Sequence, residues 1–297
     1  MARSEPARRT LIAIAGGDTD PNLQSLLKEL RRLRYPCLPM LVGTTSHPRF
    51  TWDLQKNEVR FQSKRVRPTA LFIRHDVFTN LNDGRPASAW RAYAWFTAVA
   101  SWAAANPDIK VLNRHHSAQL LKPQQLTAAR SCGLEIPKTL ITNDLDVLAR
   151  LDVAQSVVKP VAGGDYCRDL SSVLRKTERQ GRAAAAPAIV QELLVPPELR
   201  IYRVGKQFLS YNIASDALDY RTTPNCTVTA TRNDPTLIRP LRRLMDELRL
   251  DFGAADFKTC PDTGKYLFLE VNSSPMFAAF DAVSNMGVSR AIGEFLR

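Results

Sequence analysis

Cysteine and histidine are scarce in this chain, and neither occurs in a pattern typical of a reactive or metal-binding site. The five cysteines are scattered over 297 residues, and the four histidines have no metal-ligand spacing. Paired cysteines would indicate a disulfide framework or a zinc site, so their absence argues against both. We therefore expect a protein of the reducing cytoplasm, and a cysteine nucleophile gains little support.

Long hydrophobic runs are also missing. No apolar segment approaches the length that spans a bilayer, and residues 1–10 are basic and polar with no long apolar stretch behind them. These features argue against a membrane protein and against a secretory signal. The hydrophobic share of 44% is ordinary for a globular protein, and the length allows two or three subdomains.

Acidic residues are in deficit, with 29 Asp and Glu against 41 Lys and Arg and a net charge of +12. Such a balance suggests an anionic partner: a nucleotide, an acidic peptide or a nucleic acid. The basic residues are spread along the whole chain, without a recognition helix, zinc finger or aromatic RNA-binding motif. A basic nucleic-acid binder stays an alternative, and it predicts affinity that falls steeply with salt.

The most informative segment is residues 256–272, which read as two β-strands joined by a tight turn. We expect Asp262-Thr263-Gly264 to form a three-residue loop. This loop places Asp256 directly opposite Glu270, and Asn272 shares the face of Glu270 because side chains alternate along a strand. The opposite, core-facing side then contains Phe257, Leu267, Leu269 and Val271.

Two carboxylates and an amide would thus share one face of this hairpin. Like charges directly opposite each other destabilise a strand pair, so a positive charge is expected between Asp256 and Glu270. Three hard oxygen ligands suit Mg²⁺, above all Mg²⁺ shared with nucleotide phosphates, with Mn²⁺ as an alternative. The simpler interpretation is a polar face open to water, as antiparallel sheets often have.

The chain begins with a β-α-β pattern: a strand over Leu11–Ala15, helical spacing of leucines over Asn22–Arg34, and a strand over Cys37–Val42. This pattern predicts that residues 1–110 form a small α/β domain. Helices and strands continue to alternate in residues 111–187 and 188–297, so the fold class is α/β or α+β. Residues 175–187, basic and then alanine-rich, predict a helix or a mobile connection.

Further polar residues follow strand ends and helix starts in a recognisable order. They are Lys122, Lys159, the pair Gly163-Gly164, Gln191-Glu192-Leu193-Leu194, Glu198 with Arg200, and Asp219-Tyr220-Arg221. Together with Asp256 and Phe268-Leu269-Glu270-Val271-Asn272, this order resembles the ATP-grasp superfamily. The similarity is to the RimK-type, glutathione synthetase-like branch that includes the graspetide (microviridin-type) peptide ligases. It covers residues 111–297 and, more weakly, the N-terminal domain.

The resemblance implies an ATP-grasp fold with three parts. Residues 1–110 would be the N-terminal pre-ATP-grasp domain, residues 111–187 the central ATP-grasp lobe, and residues 188–297 the C-terminal lobe with the metal site. ATP and Mg²⁺ would be bound between the lobes. The metal ligands implied are Asp256, Glu270 and Asn272.

The resemblance also implies roles for the remaining residues. Lys122 and Lys159 would neutralise phosphate charge, and the Gly163-Gly164 loop would bring backbone N–H groups to phosphate. The strand end with Gln191, Glu192 and Leu194 would hold adenine, and Glu198 the ribose hydroxyls. Arg200 and Arg221 would reach the transferred phosphate or an acyl-phosphate. Arg203 alternates onto the other face of its strand and stays outside the site.

The activity implied is ATP-dependent, ADP-forming ligation, in which a carboxylate becomes an acyl-phosphate and is joined to an amine. Ser273–Phe277 and Ile73–Asp76 depart from the pattern of the peptide ligases, so a peptide and a small amino-acid substrate both remain open. The alternatives are a non-catalytic nucleotide-binding regulator on the same fold and, with less support, the nucleic-acid binder. A homo-oligomer is compatible with the resemblance, and no membrane partner is expected.

Overall fold

The computed structural model describes residues 10–43, 47–78, 83–116, 120–162, 166–176, 179–223 and 225–297. Contacts divide the chain into two units, one formed by residues 1–114 together with 276–297 and the other by residues 115–275. The chain end from Met276 onward thus packs with the first unit, although the sequence grouped it with the C-terminal lobe. The division into three domains stays a prediction.

The elements have the following bounds in chain order. The strands are β1 (Ile12–Gly17), β2 (Cys37–Val42), β3 (Phe50–Asp53), β4 (Glu58–Phe61), β5 (Lys64–Val66), β6 (Ala70–Ile73), β7 (Lys110–Val111), β8 (Thr139–Asp144), β9 (Ser156–Pro160), β10 (Arg168–Asp169), β11 (Arg179–Gln180), β12 (Ala183–Glu192), β13 (Val195–Val204), β14 (Gln207–Ala214), β15 (Thr227–Thr231), β16 (Phe252–Thr259) and β17 (Tyr266–Asn272). The helices are α1 (Pro21–Arg32), α2 (Pro86–Ala104), α3 (Lys122–Ser131), α4 (Leu145–Leu148), α5 (Leu170–Leu174), α6 (Pro235–Glu247), α7 (Ala278–Ala282) and α8 (Gly287–Leu296).

The first unit is built on a parallel sheet with the strand order β2-β1-β6-β7. Strand β1 is apolar and almost wholly buried, as expected of a strand covered on both faces. Helix α1 begins at Asp20, whose carboxylate accepts a hydrogen bond from the backbone N–H of Asn22 at 2.8 Å. Its leucines lie on one buried face. A small antiparallel sheet, β3-β4-β5, packs Val59 and Phe61 against this core.

The second unit contains two five-stranded antiparallel sheets. In the first, β10, β9, β12 and β11 are neighbours in this order and β8 also pairs with β12; the second has the order β15-β14-β13-β16-β17. Helices α3 and α6 cover the second sheet, where Leu241 and Leu244 are fully buried with Phe257 and Phe268. Within the part of the chain that the structure describes, no helix is both long and apolar enough to cross a bilayer.

The prediction for residues 175–187 is wrong over its alanine-rich end. Residues 183–187 belong to β12, which pairs with β8 and β9. Pro187 lacks a backbone N–H and would interrupt a helix at this point. Ala183 pairs with β8 and β11 and Ala184 with β11, so pairing with neighbouring strands overrides the helix propensity of alanine.

The turn of the C-terminal hairpin also differs from the prediction. The Cys260 N–H donates to the Lys265 carbonyl at 2.9 Å, which closes a four-residue loop over Pro261–Gly264 in place of the predicted three-residue loop. Gly264 has a φ of +69° there, a conformation that glycine adopts without steric cost. The longer loop alone would shift the register of the two strands by one residue.

A β-bulge at Leu269 restores the register. Phe257 pairs with Phe268, but Asp256 pairs with Glu270, which leaves Leu269 as the extra residue. The predicted pairing of Asp256 with Glu270 therefore holds because two departures from the expected geometry cancel.

The bulge changes the predicted core face. Phe257, Phe268 and Val271 belong to one core cluster, as the sequence suggested for two of them. The prediction that Leu267 and Leu269 join this core is wrong. Because the bulge alters the alternation, these two leucines lie in a separate apolar cluster with Leu194 and Cys260.

Candidate functional site

One cavity of the second unit, open to solvent, is lined by most of the predicted site residues. Those that line it are Lys122, Lys159, Gln191, Glu192, Leu194, Glu198, Arg200, Arg221, Asp256, Glu270 and Asn272. Gly163 and Gly164 lie outside the described residues. The lining comes from α3, from both five-stranded sheets and from the segment that follows β14, so folding joins residues that are far apart in the sequence.

The acidic group at the base of this cavity has the geometry of a shared ligand site. Asp256 on β16 and Glu270 on β17 are directly opposite each other. The Asn272 amide nitrogen lies 3.4 Å from Asp256 Oδ2 and 3.5 Å from Glu270 Oε1. Two carboxylates and one carboxamide thus meet at one point of the hairpin.

Cationic side chains from two other elements flank these acids. The Lys122 ammonium on α3 is 2.9 Å from Glu270 Oε2. On β13, the Arg200 guanidinium contacts Asp256 through Nε at 3.1 Å and Nη2 at 3.3 Å. Arg200 and Asp256 are cross-strand partners, which makes this contact a consequence of the β13–β16 pairing. Positive charge therefore lies beside both acids, as their proximity requires.

The two carboxyl groups respond differently to this environment. Burial raises the pKa of Asp256 to about 6, although Arg200 opposes the shift. Burial also acts to raise the pKa of Glu270, but Lys122 and Lys159 outweigh it, so that pKa is lowered. Glu270 is thus held ionised, whereas the charge of Asp256 is incompletely compensated.

The chemistry of this donor set fits a divalent cation. Carboxylate and carboxamide oxygens are the hard ligands that Mg²⁺ prefers, and Mn²⁺ accepts the same set. The Asp256 side chain is 18% exposed and its pKa is raised, so a further positive charge would stabilise its ionised form. Among the described residues, no three His, Cys, Asp or Glu side chains could hold a metal ion by themselves. A cation here would therefore draw on Asn272 and on oxygens of a ligand.

Lys159 reaches the same cavity from the other sheet. It lies on β9 opposite Ile189 of β12. Burial lowers the pKa of Lys159, because the ammonium is removed from water. Cys167 lines the cavity nearby, and burial raises the pKa of its thiol. The sequence did not place Cys167 in the site, and a thiol with a raised pKa is a poor nucleophile near neutral pH.

The end of β12 forms one wall of the cavity. Glu192 is fixed against the start of β8: its carboxylate accepts from the Lys138 N–H at 2.8 Å, and its own N–H donates to the Lys138 carbonyl at 3.2 Å. Gln191 is buried and donates to Thr139 Oγ1 at 3.0 Å. Leu194 adds an apolar surface to this wall. This wall offers an apolar surface and backbone polar groups, so it can accept a flat ring that also forms hydrogen bonds.

The two predicted arginines occupy different surroundings. Arg200 is buried, and its Nη1 donates to the Tyr220 hydroxyl at 2.6 Å. Arg221 is 52% exposed, forms a two-point hydrogen bond to Asp219 at 2.8 and 2.5 Å, and lies over the Tyr166 ring. Arg203 pairs with Asp246 at 2.6 Å and is not among the cavity-lining residues, in agreement with its predicted exclusion.

Sequence reasoning missed Lys258, Tyr220 and Cys167, which also line the cavity. Lys258 had a usable signal, because it follows Asp256 by two residues and side chains two apart on a strand share a face. Tyr220 lies between two residues of a segment that the sequence had already singled out. Nothing in the sequence indicates Cys167, because it belongs to none of the motifs and only the tertiary structure places it in the cavity wall.

No protein-family model matches the sequence, and neither does any curated protein. Solved structures match nearly the whole chain. The ATP-grasp ligase PsnB, complexed with a minimal precursor, Mg and ADP, is 25% identical with a TM-score of 0.72, covering 96% of this chain and 97% of its own. The macrocyclase MdnC of Microcystis aeruginosa MRC, bound with the precursor peptide MdnA, is 20% identical with a TM-score of 0.70, covering 97% and 99%. D-alanyl-alanine synthetase A of Vibrio cholerae is 12% identical with a TM-score of 0.60, covering 97% of both chains.

These similarities establish the fold. The chain has the mixed α/β architecture of the ATP-grasp ligases, as the order of its polar motifs predicted. The cavity described above lies in the unit that contains the two antiparallel sheets of this fold.

Proposed function

We propose that this protein is an ATP-dependent, ADP-forming ligase that activates a carboxylate as an acyl-phosphate and joins it to an amine. The observation that carries the proposal is the meeting, in one cavity of an ATP-grasp fold, of Asp256, Glu270 and Asn272 with the cations Lys122, Lys159 and Arg200. Such a group of acids, amide and cations suits a polyphosphate with a divalent cation. A polar face that is merely open to water would not need these charges to converge.

Phosphate binding is assigned to the two lysines. Lys159 is a partly buried lysine that lines the cavity, and Lys122 approaches from α3. A lysine ammonium is a compact point charge that neutralises phosphate oxygens. The predicted contribution of Gly163 and Gly164, whose backbone N–H groups would reach phosphate, remains part of the proposal.

Asp256, Glu270 and Asn272 would hold Mg²⁺, or Mn²⁺ in its place. The bound cation would neutralise charge on the phosphate groups during transfer. Lys122 already fixes the Glu270 carboxylate, and Arg200 fixes that of Asp256. These contacts hold the ligands in place before a cation arrives, and they preserve the hairpin in its absence.

The nucleoside would occupy the opposite part of the cavity. Gln191, Glu192 and Leu194 at the end of β12 would hold the adenine ring, and Glu198 on β13 would accept hydrogen bonds from ribose hydroxyls. Support comes from their common position on the cavity wall. The ATP-grasp ligase structures similar to this chain were solved with ADP and Mg or with AMPPNP.

The chemistry proceeds in two displacements. A substrate carboxylate oxygen attacks the γ-phosphorus of ATP, the bond to the β-phosphate oxygen breaks, and ADP leaves. The amine nitrogen then attacks the acyl carbon, the bond to the phosphate oxygen breaks, and the amine gives up a proton. Arg200 and Arg221 would stabilise the negative charge that develops on phosphate, and the cavity walls would limit hydrolysis by water. A hydroxyl in place of the amine would yield an ester by the same route.

We further propose that the carboxylate belongs to a peptide or an amino acid. Structures similar to this chain include PsnB with precursor peptides, MdnC with MdnA, and D-alanyl-alanine synthetase A. The net charge of +12 favours an acidic substrate. The free cysteines agree with a reducing cytoplasm as the place of reaction. A homo-oligomer remains part of the proposal.

An ADP-release screen tests the proposal. The protein is incubated with ATP, Mg²⁺ and, in turn, amino acids, dipeptides and acidic peptides, and the products are weighed by mass spectrometry. We expect ADP release that needs a carboxylate, with a product lighter than its components by one water. ADP release that is independent of every carboxylate, or nucleotide binding without turnover, would favour the regulatory alternative.

A further inference from the structure

Lys258 lines the cavity, and the proposed mechanism leaves it unused. It lies on β16 directly opposite Glu198 of β13, two residues after Asp256. Its side chain is only 8% exposed, and that of Glu198 is 12% exposed. Burying an ammonium group is costly unless it is paired and hydrogen-bonded, so the position of Lys258 requires an explanation.

The Lys258 ammonium makes two contacts of the same length. It donates to Glu198 Oε1 at 2.9 Å and to the Leu218 carbonyl oxygen at 2.9 Å. The first contact spans two strands of one sheet. The second reaches the segment after β14, which continues into Asp219, Tyr220 and Arg221. Lys258 therefore joins two parts of the cavity wall that the sequence separates by about twenty residues.

We propose that Lys258 is a positioning residue that orients Glu198 for ribose hydroxyls and ties the Arg221 segment to the nucleotide site. This inference rests on the proposed function, since it needs a nucleotide in the cavity. Lys258 contacts Oε1 of the Glu198 carboxylate, and Glu198 lines the cavity, so Oε2 would be the oxygen that accepts from a ligand there. Because the donor is charged, its hydrogen bond holds the Glu198 carboxylate more firmly than a bond between neutral groups would.

The consequence is a specificity for ribose that depends on Lys258. A carboxylate held at one oxygen loses little freedom when a hydroxyl binds to the other, so the hydroxyl contributes its full hydrogen bond. Without Lys258, Glu198 would be free to rotate away, and the 2′- and 3′-hydroxyl groups would lose their fixed acceptor. The contacts of the adenine ring and the phosphate contacts of Lys122 and Lys159 would remain, because other residues make them.

Calorimetric titration with Mg²⁺ and ADP, 2′-deoxy-ADP or 3′-deoxy-ADP tests this role. For the unaltered protein we expect ADP to bind roughly tenfold more tightly than at least one deoxy analogue, as for a hydrogen bond to a charged group. In Lys258→Met this preference should disappear, through weaker binding of ADP and nearly unchanged binding of that analogue. The matched control is Lys206→Met, since Lys206 is exposed in the turn between β13 and β14.

Hydrogen exchange provides a second readout. Amides of residues 218–222 should exchange faster in Lys258→Met than in Lys206→Met, because the carbonyl of Leu218 loses its donor. If Lys258→Met does not fold, Lys258→Gln replaces it: the amide can donate to Glu198 or to Leu218 without a charge, and we expect a partial loss of ribose preference.

The possible results distinguish failure of the proposed function from failure of the role of Lys258. If the unaltered protein does not bind ADP at all, the proposed function fails and this inference fails with it. If ADP binds but the variants keep the full ribose preference, or lose affinity for ADP and both analogues by one factor, only the positioning role of Lys258 is overturned. An equal loss of affinity for all three ligands would indicate that Lys258 interacts with the phosphate groups that they share.

Discussion

At the scale of single residues, the site is a balance of buried charges. Asp256 and Glu270 would repel each other across two strands, and the structure sets Arg200 and Lys122 beside them. Removing one member of such a group leaves a buried charge without its partner, which costs more than the lost contact itself. The effects of substitutions here should therefore be read together with the stability of each variant.

The Glu270→Ala variant should lose ATP turnover by roughly 100-fold or more, since it removes a proposed metal ligand and the anchor of Lys122. ADP release measures the loss, and circular dichroism measures whether the fold persists. Glu135→Ala is a matched control, because Glu135 is an exposed carboxylate that pairs with Lys265 at 2.7 Å and does not line the cavity. Full activity of Glu270→Ala at ordinary Mg²⁺ concentrations would refute the metal site.

The raised pKa of Asp256 predicts how pH affects the metal-free protein. Its pKa is about 6 in the folded state and 3.8 by its ordinary value. The folded state therefore binds the proton more tightly, and this stabilisation is present below about pH 4 and is lost as pH rises through 6. The shift corresponds to a stabilisation of about 3 kcal/mol, at about 1.4 kcal/mol per pKa unit.

Urea unfolding of the metal-free protein between pH 4 and pH 7 checks this effect. Over that range the free energy of unfolding should fall further in the unaltered protein than in Asp256→Asn, which cannot titrate. Comparing the two proteins removes the contributions of other groups. Parallel curves would show that Asp256 titrates with an ordinary pKa.

At the scale of secondary structure, local signals predicted most elements but not their exact pairing. Leucine spacing predicted α1 and alternation predicted β16 and β17, because both patterns follow from burial of one face. The loop length of the last hairpin and the bulge at Leu269 were not predictable, since packing of Phe268 against Phe257 selects them. Pairing of Ala183 and Ala184 with β11, and of Ala183 with β8, likewise makes the alanine-rich residues the start of strand β12.

Helix capping by Asp281 is a testable feature at this scale. Its carboxylate is 1% exposed and accepts hydrogen bonds from the Val288 and Ser289 N–H groups at the start of α8, and from the Ser25 hydroxyl. We expect Asp281→Ala to lower the free energy of unfolding by roughly 3 kcal/mol, because several buried donors lose their acceptor.

Asp234→Ala is the matched control for this cap. Asp234 caps α6 through the Thr236 N–H at 2.8 Å but is exposed to water, so its removal should cost only about 1 kcal/mol. Chemical denaturation of both variants measures the difference. Equal losses would mean that burial adds nothing to the cap of α8.

At the scale of the whole molecule, most of the net positive charge belongs to one unit and the cavity to the other. Residues 1–114 and 276–297 contain 20 of the 41 basic residues but only 11 of the 29 acidic ones, whereas the cavity lies within residues 115–275. Most of the net positive charge therefore belongs to the unit without the proposed nucleotide site. A nucleotide bound there would not account for this charge, which agrees with the proposal of an acidic substrate.

Nucleotide binding should stabilise the protein in a localised way. With Mg²⁺ and ADP at 100 times the dissociation constant, we expect a gain of about 2.7 kcal/mol, measured as a rise in Tm. Added protection from hydrogen exchange should concentrate in residues 115–275. Lys159→Met should abolish both effects, whereas Lys206→Met should retain them; an equal gain in Lys159→Met would remove that lysine from the site.

The sequence by itself determined the kinds of residue available, their order along the chain and the alternation that puts Glu270 and Asn272 on one face, since these depend only on local geometry. From that order it also predicted the ATP-grasp fold. The tertiary structure alone decided which cation faces which acid, that Lys258 bridges Glu198 and Leu218, and that a bulge at Leu269 compensates for a longer loop. These depend on contacts between residues distant in sequence, and their energies arise only when packing brings the elements together.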